Sequence, residues 1–207
     1  MSIVLYHHPF TRAATGVWML EEVGQPYTLT YIDLKTGEHK QPEFIAKNPM
    51  GKLPVIEDGD VVVSETAAIG MYLADRYALG RLAPACDDPR RGRYLRACVI
   101  PAAVIEPAAM AKGAGWEYRP SNAGFGSFDD MVATVGELIG AGPFVLGEQF
   151  TMADVIFGAT VRFMVRFKMM EADARITGYI ERLDARPASI RAAAINAQII
   201  AEHGLAT

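Results

Sequence analysis

Asn48-Pro49-Met50-Gly51-Lys52-Leu53-Pro54-Val55-Ile56, followed by Ser64-Glu65-Thr66-Ala67-Ala68-Ile69, is the stretch that decides how this chain is read. Asn-Pro-x-Gly is turn chemistry, and it runs into Leu-Pro-Val-Ile, a short apolar strand that opens on a proline. Proline has no N–H to give to a strand ladder, so Pro54 belongs at a strand start or on an edge. An X-Pro bond adopts cis at little cost. A cis Leu53–Pro54 bond is expected to turn the Leu53 N–H and C=O outward, open to an extended peptide. Asp58-Gly59 is expected to close a two-residue hairpin between Val55-Ile56 and Val61-Val62-Val63. Ser64-Glu65-Thr66 then opens a helix with Ile69, Tyr72 and Leu73 at helical spacing.

A helix N-terminus with a hydroxyl and open N–H groups is an anion site, and a carboxylate beside it, Glu65, can meet an ammonium. Glutathione carries both groups at one end and a peptide in its middle. The two motifs, in this order and at this separation, resemble the glutathione-binding half of the cytosolic glutathione S-transferases. The resemblance implies a thioredoxin-like α/β N-terminal domain and an all-α C-terminal domain. It covers nearly the whole chain, most closely over residues 48–73 and 145–155 and least over residues 112–128.

Working outward, the composition fits this reading. The chain has 207 residues, enough for one large or two small domains. It is 51% hydrophobic and 21% charged, as an ordinary globular protein is. A net charge of −4 without a basic run argues against a nucleic-acid partner. The start lacks the basic region of a signal peptide, and the apolar run near Ala97 to Ile105 is broken by Pro101, so no membrane partner is expected. Two cysteines, Cys86 and Cys98, make neither a disulfide framework nor a Cys-x-x-Cys site. A reduced, cytoplasmic setting follows as the expectation, and no metal site is expected.

Ile3-Val4-Leu5-Tyr6 reads as a first strand buried on both faces. A helix to about Val23, with Val17, Leu20 and Val23 as its stripe, ends at Gly24, and Pro26 to Ile32 is a second strand, giving a βαβ unit. Pro42 starts a short helix. Residues 1–78 thus form the first domain, the Pro/Gly/Asp-rich stretch 79–88 a linker, and 89–207 an all-helical domain. Pro101 and Pro107 predict a kink or break in the helix from Arg90 to Met110. Thr151 and Asp154 have capping-box spacing ahead of an apolar helix, a structural motif that the family also carries.

A transferase of this kind must hold a thiolate near neutral pH, and a free thiol ionises only near ~8.5. A hydroxyl donor in the loop after the first strand, aided by a helix N-terminus, meets that need. Thr11, after Pro9-Phe10, is the candidate, at the place where the family's serine-type, bacterial-type members put their hydroxyl. A plain helix cap is the competing role for Thr11, and Tyr6 is the backup donor. For the tripeptide, the resemblance implies that Glu65 and Thr66 hold the γ-glutamyl end and Leu53, before Pro54, the cysteinyl backbone. Lys52 and His39 are candidates for the glycyl carboxylate. Phe10, Met110, Trp116, Tyr118, Phe163 and Phe167 are candidates for lining a pocket for a small hydrophobic electrophile. The family's two-fold homodimer suggests Arg76, Tyr77, Arg90, Arg93 and Tyr94 for the partner face. The expected function is conjugation of glutathione to such an electrophile, as in detoxification. The alternatives are a glutathione-dependent peroxidase or isomerase, or a glutathione-binding or interaction module with little catalysis.

Overall fold

Ile3–His7 forms β1, an inner strand of a four-stranded sheet. The computed structural model describes residues 2–205. These divide into two compact units, one running to Ala78 and resuming at Arg186, the other Leu79–Ala185.

In the first unit β1 is followed by α1 (Ala13–Val23), β2 (Tyr27–Tyr31), the short α2 (Pro42–Ile45), β3 (Val55–Asp58), β4 (Val61–Ser64) and α3 (Thr66–Tyr77). The sheet order is β2-β1-β3-β4, with β1 parallel to β2 and antiparallel to β3. This is the thioredoxin-like plan. β1 alternates, with Ile3, Leu5 and His7 buried and Val4 and Tyr6 only partly so, in place of the expected burial on both faces. Gly24 stops α1 in a left-handed conformation (φ 76°), its N–H returning to the Leu20 carbonyl.

The hairpin turns one residue later than the sequence suggests. Asp58 pairs with Val61, so Gly59 and Asp60 make the turn. Asp58 is held in the strand because its carboxylate accepts hydrogen bonds from the Tyr72 and Tyr77 hydroxyls and pairs with Arg76. The peptide bond between Leu53 and Pro54 is cis.

The second unit is helical: α4 (Arg91–Ile100), α5 (Glu106–Gly113), α6 (Phe128–Ile139), α7 (Met152–Arg166) and α8 (Ala174–Asp184). Of the kink or break expected at the prolines, a break does not occur. A π-type turn, Pro101–Ile105, widens the helix where Pro101 cannot donate, and α4 runs on into α5. The continuous helix Arg91–Gly113 is long and apolar enough, by length and composition, to cross a membrane, and half of its most apolar window is buried inside the protein. Its apolar face is therefore accounted for at least in part by packing.

α7 is the core of this unit, with Val155, Phe157 and Val161 fully buried. The Thr151–Asp154 capping box is formed. Asp154, also fully buried, accepts the Val145 and Thr151 N–H groups (both 2.8 Å) and the Tyr179 hydroxyl (3.1 Å). Burial pushes its carboxyl up to about 6 against the pull of these donors.

Two residues suggested for a partner face are spent inside this unit. Tyr94 is fully buried, and Arg93 donates to the Val145 and Leu138 carbonyls and pairs with Glu137.

The chain then returns. α9 (Pro187–Glu202) belongs to the first unit, where the sequence reading kept all of 89–207 together. Polar contacts hold it: Arg186 forks onto buried Glu22 (2.7 and 2.8 Å), Arg191 pairs with Glu21, and Asn196 meets the His7 ring. Such pairings have no local signature in the sequence.

Candidate functional site

The strand register gathers the sequence-predicted residues of the first unit. Val55 pairs with Tyr6 on one side and with Ser64 on the other, so these three lie in one row across β1, β3 and β4. β1 runs out of that row into the loop of residues 8–12, β3 enters it from Leu53-Pro54, and β4 leaves it into Glu65-Thr66. All three segments therefore emerge at one end of the sheet. α1 and α3 both begin there, each bringing the positive end of its dipole.

Thr11 is partly buried just ahead of α1. Its hydroxyl donates to the His8 carbonyl (2.8 Å) and accepts from the Ala13 N–H (3.1 Å), satisfying one of the open donors of the helix. The His8 carbonyl also accepts the Thr11 N–H (3.1 Å). Turning the hydroxyl proton from this carbonyl toward a sulfur would therefore strand no buried group, and it would exchange one hydrogen bond of about 1 kcal/mol. The resting arrangement is a cap, and the cap can be redirected.

Tyr6, the backup donor, points its chemistry elsewhere. Its ring packs edge-on against Phe44, and its hydroxyl donates to Glu57 (2.8 Å), whose carboxylate also binds Lys47. Burial and the Glu57 hydrogen bond push the phenol above its ordinary value.

Glu65 sits at φ 69°, ψ 123°, on the half of the backbone map that non-glycine residues rarely occupy. Its carbonyl accepts the Ile69 N–H (2.9 Å), starting α3, while its side chain stands in solvent. Thr66 is half-buried as the first residue of the helix. Leu53 is half-buried and takes part in none of the backbone hydrogen bonds outside the helices and sheet among the described residues.

The Asn-Pro-Met-Gly turn is closed by Asn48, which is buried, accepts the Met50 N–H (3.1 Å) and donates to the Lys52 carbonyl (2.9 Å). Gly51 has φ 58°, and a Cβ there would lie 2.6 Å from the His39 carbonyl oxygen. The turn carrying His39 is thus pressed against the loop carrying Lys52. The Lys52 side chain is exposed, whereas His39 is half-buried and its Nδ1 is buried without a partner among the described residues.

The residues suggested for the second substrate divide between the units. Phe10, on the loop before Thr11, is 49% exposed. In the helical unit Met110 and Trp116 are exposed, the Tyr118 hydroxyl donates to the Gly126 carbonyl, and Phe163 is half-buried against Phe167. Among the described residues no group of three or more histidine, cysteine, aspartate or glutamate side chains is placed to hold a metal.

Sequence reasoning sets His7, His8 and Arg12 beside this loop but reads such histidines as solvated, and His8 is not. Only 5% exposed, it accepts the Phe10 N–H at Nδ1 (3.2 Å) and lies against Tyr31, which stacks on His203 (ring centroids 3.6 Å apart). The signal available was the His-Pro pair in the loop, which reads as solvated until α9 is in place. Neighbouring His7 is fully buried, and burial pulls its ring down to about 4.

Comparison with known proteins matches this geometry. Residues 1–75 fit the model of the glutathione S-transferase N-terminal domain. Glutathione S-transferase 3 of maize (Zea mays) is 47% identical over 67 residues, 32% of this chain and 29% of the maize protein. The chain matches only about a third of the length of this and the other curated plant relatives aligned to its first domain. Among solved structures, a glutathione transferase from Methylococcus capsulatus is 26% identical with a TM-score of 0.75, covering 95% of this chain and 99% of that one. A glutathione transferase homologue from Sulfitobacter, solved with bound glutathione, is 25% identical with a TM-score of 0.72, covering 93% and 97%. Residues 1–75 therefore match the glutathione S-transferase N-terminal domain, and the chain has a thioredoxin-like and helical architecture like that of the solved glutathione transferases.

Proposed function

We propose that the protein binds glutathione at this end of the sheet and transfers its thiolate to a small hydrophobic electrophile. The observation that carries the reading is the row Tyr6–Val55–Ser64, which brings Thr11, Leu53 and Glu65 out at the starts of two helices. The Glu65 carboxylate takes the γ-glutamyl ammonium, while Thr66 and the N–H groups of α3 take the γ-glutamyl carboxylate. Leu53 pairs with the cysteinyl backbone as a short added strand beside Pro54. His39 and Lys52 take the glycyl carboxylate. The sulfur then lies toward Thr11. A hydroxyl donating to it, together with the positive end of α1, lowers the thiol pKa, each unit requiring about 1.4 kcal/mol.

The engagement of Tyr6 with Glu57 favours the serine/threonine branch of the family over a tyrosine donor. Exposed Phe10 favours an apolar electrophile, as do exposed Met110 and Trp116 in the helical unit. Exposed Leu95 and Val99 on α4 suit a homodimer contact, and an exposed Cys86 outside any disulfide suits a reducing cytoplasm.

A second reading is a glutathione-binding module with little catalysis. It is favoured by the hydrogen bond that commits the Thr11 proton to the His8 carbonyl. One assay separates the two. With glutathione and a chromogenic aryl halide, wild type turns over, and Thr11→Ala loses most of kcat while its glutathione affinity by calorimetry stays within about threefold, since Thr11 acts on the charge and not on the tripeptide. Binding without turnover in the wild type selects the module, and no glutathione binding refutes both.

A further inference from the structure

We propose that His8 is a positioning residue for Thr11: its neutral ring holds the β1–α1 loop in the turn that presents the hydroxyl, and protonating the ring releases that turn. The inference rests on the reading of Thr11 as the donor to the thiol.

The geometry is specific. His8 Nδ1 accepts the N–H of Phe10, two residues along (3.2 Å). This is the bond an asparagine or aspartate oxygen makes in an Asx-turn, with an imidazole nitrogen in the place of the oxygen. The same residue's carbonyl takes both the N–H (3.1 Å) and the hydroxyl (2.8 Å) of Thr11. Side chain and main chain of His8 thus close successive bonds of the loop, and Thr11 has its position from both.

An Asx oxygen does not titrate near neutral pH, and an imidazole does. Imidazolium has only donors, so a proton on Nδ1 sets N–H against the Phe10 N–H and the bond is lost. The ring has little room to turn away. It is 5% exposed, lies 5.5 Å from the Tyr31 ring and 5.8 Å from the Phe10 ring, and Tyr31 in turn stacks on His203. Of the titratable groups around it, Asp33 after β2 favours the charged ring, while Lys35 and His203 oppose it and His7 adjoins it in the chain. Burial outweighs Asp33, and the ring titrates below its ordinary 6.5. The turn is therefore intact at neutral pH and opens in acid.

The test joins a structural readout to a kinetic one. In ¹⁵N-labelled protein without glutathione, the Phe10 and Thr11 amide resonances should titrate together with the His8 ring. In His8→Asn, which restores the turn with an oxygen, that step should vanish. In turnover, His8→Leu should lower kcat about tenfold or more while KM for glutathione changes by less than about twofold, the mark of a misplaced reacting group. His8→Asn should recover most of kcat at neutral pH. The ratio of wild-type to His8→Asn kcat should be level above pH 6.5 and fall up to about tenfold per unit below the pKa of the ring. A Phe10 amide that does not follow the His8 ring overturns the proposal whatever the activity, and so does an unchanged acid limb in His8→Asn. If the wild type neither binds nor uses glutathione, the transferase reading falls, and the amide titration still decides the turn.

Discussion

Glu65→Gly should make the protein more stable and worse at holding glutathione. Glu65 occupies φ 69°, ψ 123° at the start of α3. For a residue with a Cβ such a conformation costs about 1–3 kcal/mol, and it persists only where the surrounding structure enforces it. Here the enforcement is visible on both sides. Ser64 pairs with Val55 in the last row of the sheet, and the Glu65 carbonyl accepts the first hydrogen bond of α3 from fully buried Ile69. Glycine reaches this conformation freely, but it adds about 0.4–1 kcal/mol of entropy to the unfolded chain. The net gain is about 1 kcal/mol, or about 3 °C in Tm for a protein of this size. The same substitution deletes the carboxylate proposed to meet the γ-glutamyl ammonium, a charged hydrogen bond of about 1.5–3 kcal/mol, so the glutathione Kd should rise about ten- to hundredfold. Glu65→Ala is the control, since it loses the carboxylate and keeps the strain. Differential scanning calorimetry without ligand, followed by calorimetric titration of all three proteins, reads both quantities. If Glu65→Gly melts at or below the temperature of Glu65→Ala, the backbone is not strained there. If both variants bind as wild type does, Glu65 does not face the tripeptide.

Two further outcomes test other parts of the structure. His7 is fully buried, its Nε2 meets Asn196 Oδ1, and its Nδ1 has no partner among the described residues. With a folded pKa of about 4 against 6.5 unfolded, the folded state refuses a proton that the unfolded chain accepts. This contribution is complete above pH 6.5 and is lost as pH falls toward 4, about 3 kcal/mol in all. His7→Gln should flatten the fall of unfolding free energy across that window in urea titrations, and an unaltered slope would mean that His7 does not carry it. In the helical unit, Asp154→Ala leaves the Val145 and Thr151 N–H groups and the Tyr179 hydroxyl without their buried acceptor. A loss of about 4 kcal/mol is expected in denaturant unfolding, and a loss under 1 kcal/mol would contradict the buried network.

What the sequence disclosed and what it withheld divide along a physical line. The βαβ–α–ββα order was readable because each step had a local cause: Gly24 ending α1, Pro42 starting α2, Pro54 barred from donating at the head of β3. The Thr151–Asp154 cap was readable because both partners lie within one helical turn. The hairpin register slipped by a residue because Asp58 is held in the strand by Tyr72, Tyr77 and Arg76, which no turn rule contains. Pro101 was read as a kink or break because proline removes a hydrogen bond. A π-type turn supplies another way to lose one, at no cost in continuity. Thr11 was legible as a residue type at a position. The bond from its hydroxyl to His8, which decides whether the proton is available, was not.

The hardest feature to foresee is also the one that ties the end of the chain to the site. Sheet and helices up to Ala78 look self-sufficient as a sequence pattern, yet β1 ends on a buried imidazole whose Nε2 meets Asn196 of α9. Glu22, also buried on α1, accepts the Trp18 indole N–H and takes its ion pair from the fork of Arg186. His203 then closes on Tyr31, and Tyr31 bounds the His8 ring. Apart from the Trp18 bond, each contact is long in sequence and short in space, and three of the four engage β1, the loop after it, or the first helix. The site loop is therefore set from both ends of the chain: by β1, which leads into His8 and Thr11, and by the C-terminal segment, whose Asn196 meets His7 and whose His203 stacks on the Tyr31 ring that bounds His8.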